Sequence, residues 1–226
     1  MRDFGTVSSA NTQAEKEAAA EAAADAVEDG MTVGLGSGTT VAFLLSALAR
    51  RDLSIRCVAT SPRTERAARD LGLRVDDFST VARLDIAIDG ADQIAPDGWL
   101  VKGGGAAHTR EKIVAAAAER FVVIADSTKL VDTLQPPVPL ELLAFGLPST
   151  LARLGEACAL RIGTPPSPDG GVIADYLGAI DDPSDVAGRL AATPGVVDHG
   201  LFPPSMVSVA LVAYGQDVRT ITILRS

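Results

Sequence analysis

The sequence predicts an α/β protein, a Rossmann-like parallel sheet flanked by helices, with a second, smaller α+β domain. Three observations carry this reading. Short apolar runs alternate with Ala- and Arg-rich helical stretches through residue 130, as a sheet covered on both faces requires. Polar or glycine-rich clusters follow four of the expected strands, where open parallel sheets gather their chemistry. Near residue 131 the character changes, and Pro136, Pro137, Pro139 and Pro148 punctuate shorter β-rich segments.

The alanine-rich stretch 18–27 follows Asn11 and Thr12, read as its cap, and stops at Gly30, so a helix is expected. Residues 31–35 form an apolar strand opening into Gly36, Ser37, Gly38, Thr39 and Thr40, and helical periodicity resumes over 41–48. A second strand is expected at 55–59 and an Ala- and Arg-rich helix at 62–71. Residues 84–88 read as a buried strand ending in Asp89, Gly90, Ala91 and Asp92. Trp99, Leu100 and Val101 lead into Lys102, Gly103, Gly104 and Gly105, before a helix over 109–119 and a strand over 121–125.

Beyond 131, strands are expected at 158–162, 170–174 and 195–199, with helices at 149–158 and 183–190. Residues 206–212 and 220–224 are β-rich, and periodicity alone leaves open whether they rejoin the first sheet or end the second domain. The expected division assigns 1–130 plus roughly 205–226 to the Rossmann-like catalytic domain and 131–204 to the small α+β domain.

Composition narrows the function. With 226 residues, 47% hydrophobic and 22% charged, the chain can bury a sizeable core and is not disordered. A net charge of −9 lacks the footprint of a nucleic-acid partner, and an anionic substrate needs local cations and N–H groups to overcome it. Apolar runs are broken by Asp, Arg or Gly well short of the roughly 20 residues that cross a bilayer. The start, Met1 to Gly5, has no apolar segment of a secretory signal. No membrane partner and a cytoplasmic location are therefore expected. Cys57 and Cys158 stand in apolar segments without a second Cys or His at ligand spacing, so buried free thiols and no metal site are expected.

The first glycine cluster fails the dinucleotide fingerprint. Counted from Gly34, its third glycine position is Thr39, and the next strand closes on Val58, Ala59 and Thr60 without an acid. The P-loop pattern fails for want of a Gly-Lys pair. What remains is a turn of N–H groups with the hydroxyls of Ser37, Thr39 and Thr40 at a helix N-terminus, suited to one phosphate or else a plain tight turn. Asp89 and Asp92 form either an acid/base or hydroxyl-binding pair or a capped turn. Lys102 beside three glycines is an ammonium next to backbone free to approach a ligand, an arrangement for a developing oxyanion, or else a surface loop. Glu111 lies in the first turns of a helix, where the dipole by itself favours acids.

Only four of the 20 basic residues are lysines, and three of them, Lys102, Lys112 and Lys129, fall in the motif-rich stretch 102–129. That bias points to sites that want a compact point charge. His108 and His199 have no carboxylate or nucleophile at recognisable spacing and are read as non-catalytic.

Taken together these residues resemble the type A ribose-5-phosphate isomerase family. The matching blocks are GLGSGTT at 34–40, IDGAD at 88–92, KGGGAA at 102–107, REKIVA at 110–115, DSTKL at 126–130 and PGVVDHGLF at 194–202, in the family's order. The resemblance implies isomerisation between ribose 5-phosphate and ribulose 5-phosphate without metal or organic cofactor, in a homodimer or homotetramer. Carried over by position, Glu111 is the general base, Asp89 moves protons between the sugar oxygens, and Lys102 with Gly103, Gly104 and Gly105 steadies the enediolate. Ser37, Gly38, Thr39, Thr40, Gly90, Ala91, Asp92 and Lys129 match substrate binding, and Lys16 is a further group near the phosphate. Three departures stand out: Gln93 where the family has Glu, His108 at a usually apolar position, and an altered segment over 134–142. The competing readings are a sugar-phosphate sensor of related fold, disfavoured by the lack of a basic helix-turn-helix, and a coenzyme A transferase, which needs a larger chain or a partner subunit.

Overall fold

The computed structural model describes residues 9–223. The first half runs α1 (Ser9–Ala24), β1 (Thr32–Leu35), α2 (Thr39–Arg50), β2 (Arg56–Ala59), α3 (Pro62–Asp70), β3 (Leu84–Gly90), β4 (Gln93–Ile94), β5 (Leu100–Val101), α4 (His108–Ala117) and β6 (Ala118–Asp126). The second half runs β7 (Val138–Leu142), α5 (Leu147–Leu154), β8 (Cys158–Leu160), β9 (Val172–Tyr176), α6 (Pro183–Ala191), β10 (Val196–His199), β11 (Leu201–Phe202), β12 (Val209–Tyr214) and β13 (Asp217–Thr222).

The main sheet has the order β13-β12-β6-β3-β1-β2, parallel throughout except for the β12–β13 hairpin. The chain lays strands outward on one side of β1 and then turns back to the other. The order therefore reverses between β1 and β3, where α/β sheets of this winding open a crevice at their carboxyl ends. Period-two side-chain alternation divides the buried strands between two cores. Ile86, Ile88, Val122 and Ile124 face α1 and α2, while Ala87, Phe121 and Val123 face the α4 side. Fully buried side chains such as Leu44 and Leu48 of α2 contribute about 2 kcal/mol each by leaving water.

A four-stranded antiparallel sheet, β10-β7-β9-β8, covers a third core with Val186 and Leu190 of α6. A small sheet, β11-β5-β4, ties this half back to the site.

The structure corrects several boundaries. Asn11 and Thr12 lie inside α1 and do not cap it; Asn11 instead donates to Glu15 at 2.9 Å, one turn on. The proline-marked segment 134–142 contains β7, which pairs on both sides although Pro139 lies within it. Pro139 still contributes its carbonyl, which accepts the N–H of Gly200 at 2.7 Å. The helix expected over 149–158 stops at Leu154, and Cys158 begins the edge strand β8, half-buried where full burial was expected. The C-terminal β-rich stretches belong to the main sheet: β12 pairs in parallel with β6, and β13 closes the edge. Leu224 lies outside the described residues. Among the described residues no helix is long and apolar enough to cross a membrane.

Candidate active site

Three glycine-containing turns meet at the crevice between β1 and β3. Gly36 ends the first strand because a side chain has no room there: a Cβ would stand 1.9 Å from the Asp89 carboxyl carbon. Thr64 of α3 anchors this turn, its hydroxyl donating to the Gly36 carbonyl at 3.0 Å. Gly38 has φ +96°, open to glycine at little cost, and starts α2. The turn therefore aims Ser37, Thr39 and Thr40 over the end of the sheet.

At the centre lies a buried charge cluster. Lys102, 3% exposed, sets its ammonium 2.9 Å from Asp89 Oδ2 and 3.1 Å from Glu111 Oε2. A third bond runs to the Gly90 carbonyl at 2.5 Å. Asp89 Oδ1 accepts the N–H groups of Ser37 at 3.0 Å and Gly90 at 2.7 Å. The Ser37 hydroxyl donates to Glu111 Oε1 at 2.6 Å. One cation thus faces two carboxylates in a nearly dry environment. Burial, then the Glu111 charge, push the Asp89 carboxyl up to about 7, only partly offset by Lys102. Burial by itself lowers the Lys102 ammonium, but the two carboxylates outweigh it and hold the proton on more firmly.

Around this cluster opens a cavity of about 200 Å³. Ser37, Gly38, Thr39, Thr40, Gly90, Ala91, Asp92, Lys102, Gly103, Gly104, Gly105, Glu111 and Lys129 line it, and Lys16 joins them from α1. Asp89 lies beneath the lining and reaches it through Lys102. The Gly104 N–H is already donated to Asp92 Oδ2 at 2.7 Å, so Asp92 orders the glycine loop.

Glu15 was not singled out by sequence. It is buried on α1 and accepts from Ser127 N at 2.9 Å, Ser127 Oγ at 2.8 Å and Gly215 N at 3.0 Å. These bonds hold its carboxyl below the ordinary range although burial opposes them. Glu15 thereby fixes the short turn carrying Lys129 and the helix carrying Lys16 against each other. The available signal was an acid beside one of only four lysines in an alanine-rich helix.

Neither histidine enters the charge cluster. His108 is fully buried against Gly103, where a Cβ would come within 2.7 Å of its Nδ1, and burial lowers its pKa. Burial and the nearby Lys112 charge push His199 down to about 4. Gln93, in the place of the family's Glu, exchanges bonds with the Gln135 backbone, donating to its carbonyl and accepting its N–H, both at 2.8 Å. Among the described residues no group of three or more His, Cys, Asp or Glu gathers to hold a metal.

A buried lysine shared by two carboxylates, with hydroxyls, lysines and N–H groups around one small cavity, can exchange protons on a polyhydroxylated anion. Comparison with known proteins meets this arrangement from three directions. The family model for ribose 5-phosphate isomerase A (phosphoriboisomerase A) matches residues 56–217, and that of the DeoR C terminal sensor domain matches residues 11–70. A ribose-5-phosphate isomerase A of Halobacterium salinarum is 47% identical over 181 residues, 75% of this chain and 79% of the relative. The crystal structure of ribose 5 phosphate isomerase A from Neisseria gonorrhoeae superposes with a TM-score of 0.89 at 30% identity, over 94% of this chain and 98% of the other. A D-ribose-5-phosphate isomerase in complex with phospho-erythronic acid superposes with a TM-score of 0.87 at 32% identity, over 93% and 99% of the two chains.

Proposed function

This chain belongs to the ribose 5-phosphate isomerase A family, and from that premise we propose how its own residues carry the reaction. It is an aldose–ketose isomerase that interconverts ribose 5-phosphate and ribulose 5-phosphate. Glu111 is the general base: it takes the proton from C2 of the aldose and returns it to C1, through an enediolate. The Ser37 hydroxyl and the Lys102 ammonium, one on each carboxylate oxygen, orient it for this transfer. Asp89, with its pKa near 7, is matched to carrying a proton between the two sugar oxygens and to assisting ring opening. Lys102 and the glycine loop steady the oxygen that gains negative charge.

The hydroxyls of Ser37, Thr39 and Thr40, the helix start at Gly38, and Lys129 with Lys16 receive the phosphate, supplying the local positive field that the overall charge of −9 lacks. Phospho-erythronate fits the same scheme: its carboxylate carries two oxygens where the enediolate does, and its phosphate takes the same end. The Lys102–Asp89–Glu111 contact at the cavity wall carries the reading.

The same proposal includes a cytoplasmic enzyme of the pentose phosphate route, a homodimer or homotetramer, and a division into a catalytic unit of 1–130 plus 205–226 and a smaller unit of 131–204. The sensor reading is not favoured, because the full Lys102–Glu111 pair is kept. Conversion of ribose 5-phosphate by the purified protein after exhaustive chelation tests the function. Sustained turnover is expected; binding without turnover overturns the enzyme reading.

A further inference from the structure

Arg161 follows β8 on the four-stranded sheet, its N–H bonded to the Ile173 carbonyl at 3.0 Å. No motif marks it. Its guanidinium is engaged in two directions. Nε donates to Asp175 Oδ2 at 2.9 Å and Nη2 to the other oxygen of the same carboxylate. Nη1 reaches across to the glycine loop and donates to the carbonyls of Gly103 at 3.2 Å and Gly104 at 3.1 Å. The Arg161 and Asp175 side chains are only 19% and 17% exposed.

In a trans peptide the carbonyl and the following N–H point in opposite directions. Fixing the Gly103 carbonyl toward Arg161 therefore turns the Gly104 N–H the other way, where it meets Asp92 at 2.7 Å. The same constraint on the Gly104 carbonyl turns the Gly105 N–H away from Arg161, and Gly105 lines the cavity. A cation bonded to a carbonyl also polarises the peptide, which makes its N–H a stronger donor. The Gly103 carbonyl also accepts the Ala106 N–H at 3.0 Å, a bond inside the loop, so the tether that Arg161 adds from outside bears chiefly on the Gly104 carbonyl, where glycine leaves the backbone otherwise free to turn.

We propose that Arg161, locked by Asp175, is a positioning residue for the isomerisation: it sets the two peptide planes of the glycine loop so that the Gly105 N–H faces the sugar oxygen that becomes charged in the enediolate. This rests on the reading of residues 102–105 as the oxyanion element. It assigns to the four-stranded sheet a part in transition-state stabilisation made without touching substrate.

The test compares Arg161→Ala, Arg161→Lys and Asp175→Asn with Arg110→Ala in the full chain. Arg110 is the control because it makes another tie to the same half of the chain, a two-bond pair with Asp169 at 2.7 Å each, that does not involve the glycine loop. The readouts are kcat and KM for ribose 5-phosphate and the inhibition constant of phospho-erythronate. For Arg161→Ala, kcat falls about 10- to 100-fold with KM within about threefold, and phospho-erythronate weakens in step with kcat. Arg161→Lys stays impaired because an ammonium cannot hold the carboxylate and both carbonyls as a fork does. Asp175→Asn shows the same pattern more weakly, and added guanidinium ion partly restores Arg161→Ala. Should Arg161→Ala fail to fold, Arg161→Lys and Asp175→Asn carry the comparison.

A kcat within twofold of wild type in the folded variants overturns the proposal. So does an equal loss in Arg110→Ala, which denotes general loosening. An inactive wild type instead overturns the underlying functional reading, which keeps the two failures apart.

Discussion

Lys102 and Lys112 flank the same aromatic ring, their ammonium groups 5.4 and 5.0 Å from the centre of Phe202. Their electrostatics are opposite. Lys102 meets two carboxylates, and its proton is held more tightly than in water. Lys112 meets one, Asp198 at 2.5 Å, and a carbonyl, His199 O, at 2.5 Å; burial outweighs that single charge and its pKa is lowered. A balanced pair closed by a carbonyl has no proton to spare, so Lys112 serves as a tether between α4 and the end of β10. Burial and the second carboxylate raise the Asp89 carboxyl to about 7, and on the proposed reading that imbalance suits the Lys102 cluster to proton transfer.

Substitution sharpens this contrast. Lys102→Met should lower kcat about 10²- to 10³-fold, by removing the charge beside the developing oxyanion; steady-state kinetics decide, and a loss comparable to that of Lys112→Met would erase the distinction. Lys129→Ala extends the comparison to a half-buried lysine at the cavity wall. It should raise KM about tenfold with kcat within about threefold, as loss of binding shared by ground and transition states does; an unchanged KM would remove Lys129 from the phosphate site.

The raised Asp89 carboxyl has a signature in stability. Folded Asp89 holds its proton up to about 7, whereas the unfolded chain releases it near pH 4. Between those values Asp89 binds more protons folded than unfolded, so its own contribution to stability falls as pH rises through the window. His199, lowered to about 4, and His108 act in the opposite sense over part of the same window, so the difference between the two proteins is the readout: denaturation across pH 4 to 8 should show wild type losing stability relative to Asp89→Asn as pH rises. The smallest effect on turnover belongs to Lys112→Met, with kcat within about threefold but stability reduced by about 1 to 3 kcal/mol, since Asp198 loses the cation paired with it and keeps the His199 N–H.

Much of this was legible in the sequence because glycine is informative where backbone and carboxylate crowd together. Gly36 admits no side chain against Asp89, and the turn it makes was visible as a broken dinucleotide pattern. The residues around the cavity came from short local blocks read through the family resemblance. What escaped depends on long-range pairing. The strand β7 was hidden by Pro137 and Pro139, whose local signal is a break, although partners on both sides hold it extended. Asn11 read as a cap because its side chain favours helix starts, yet in α1 it bonds to Glu15 one turn on. Arg161 and Glu15 act on loops far away in the chain, and no spacing rule connects them.

The central claim is that Glu111 moves the proton between C1 and C2. It is tested most directly by following exchange of the C2 hydrogen of ribose 5-phosphate with solvent deuterium by NMR, in wild type and Glu111→Gln, beside calorimetric binding of the same sugar. The account predicts that the variant binds within about threefold of wild type while exchange and turnover both fall by about 10³-fold or more. Exchange and turnover within tenfold of wild type in Glu111→Gln would contradict it.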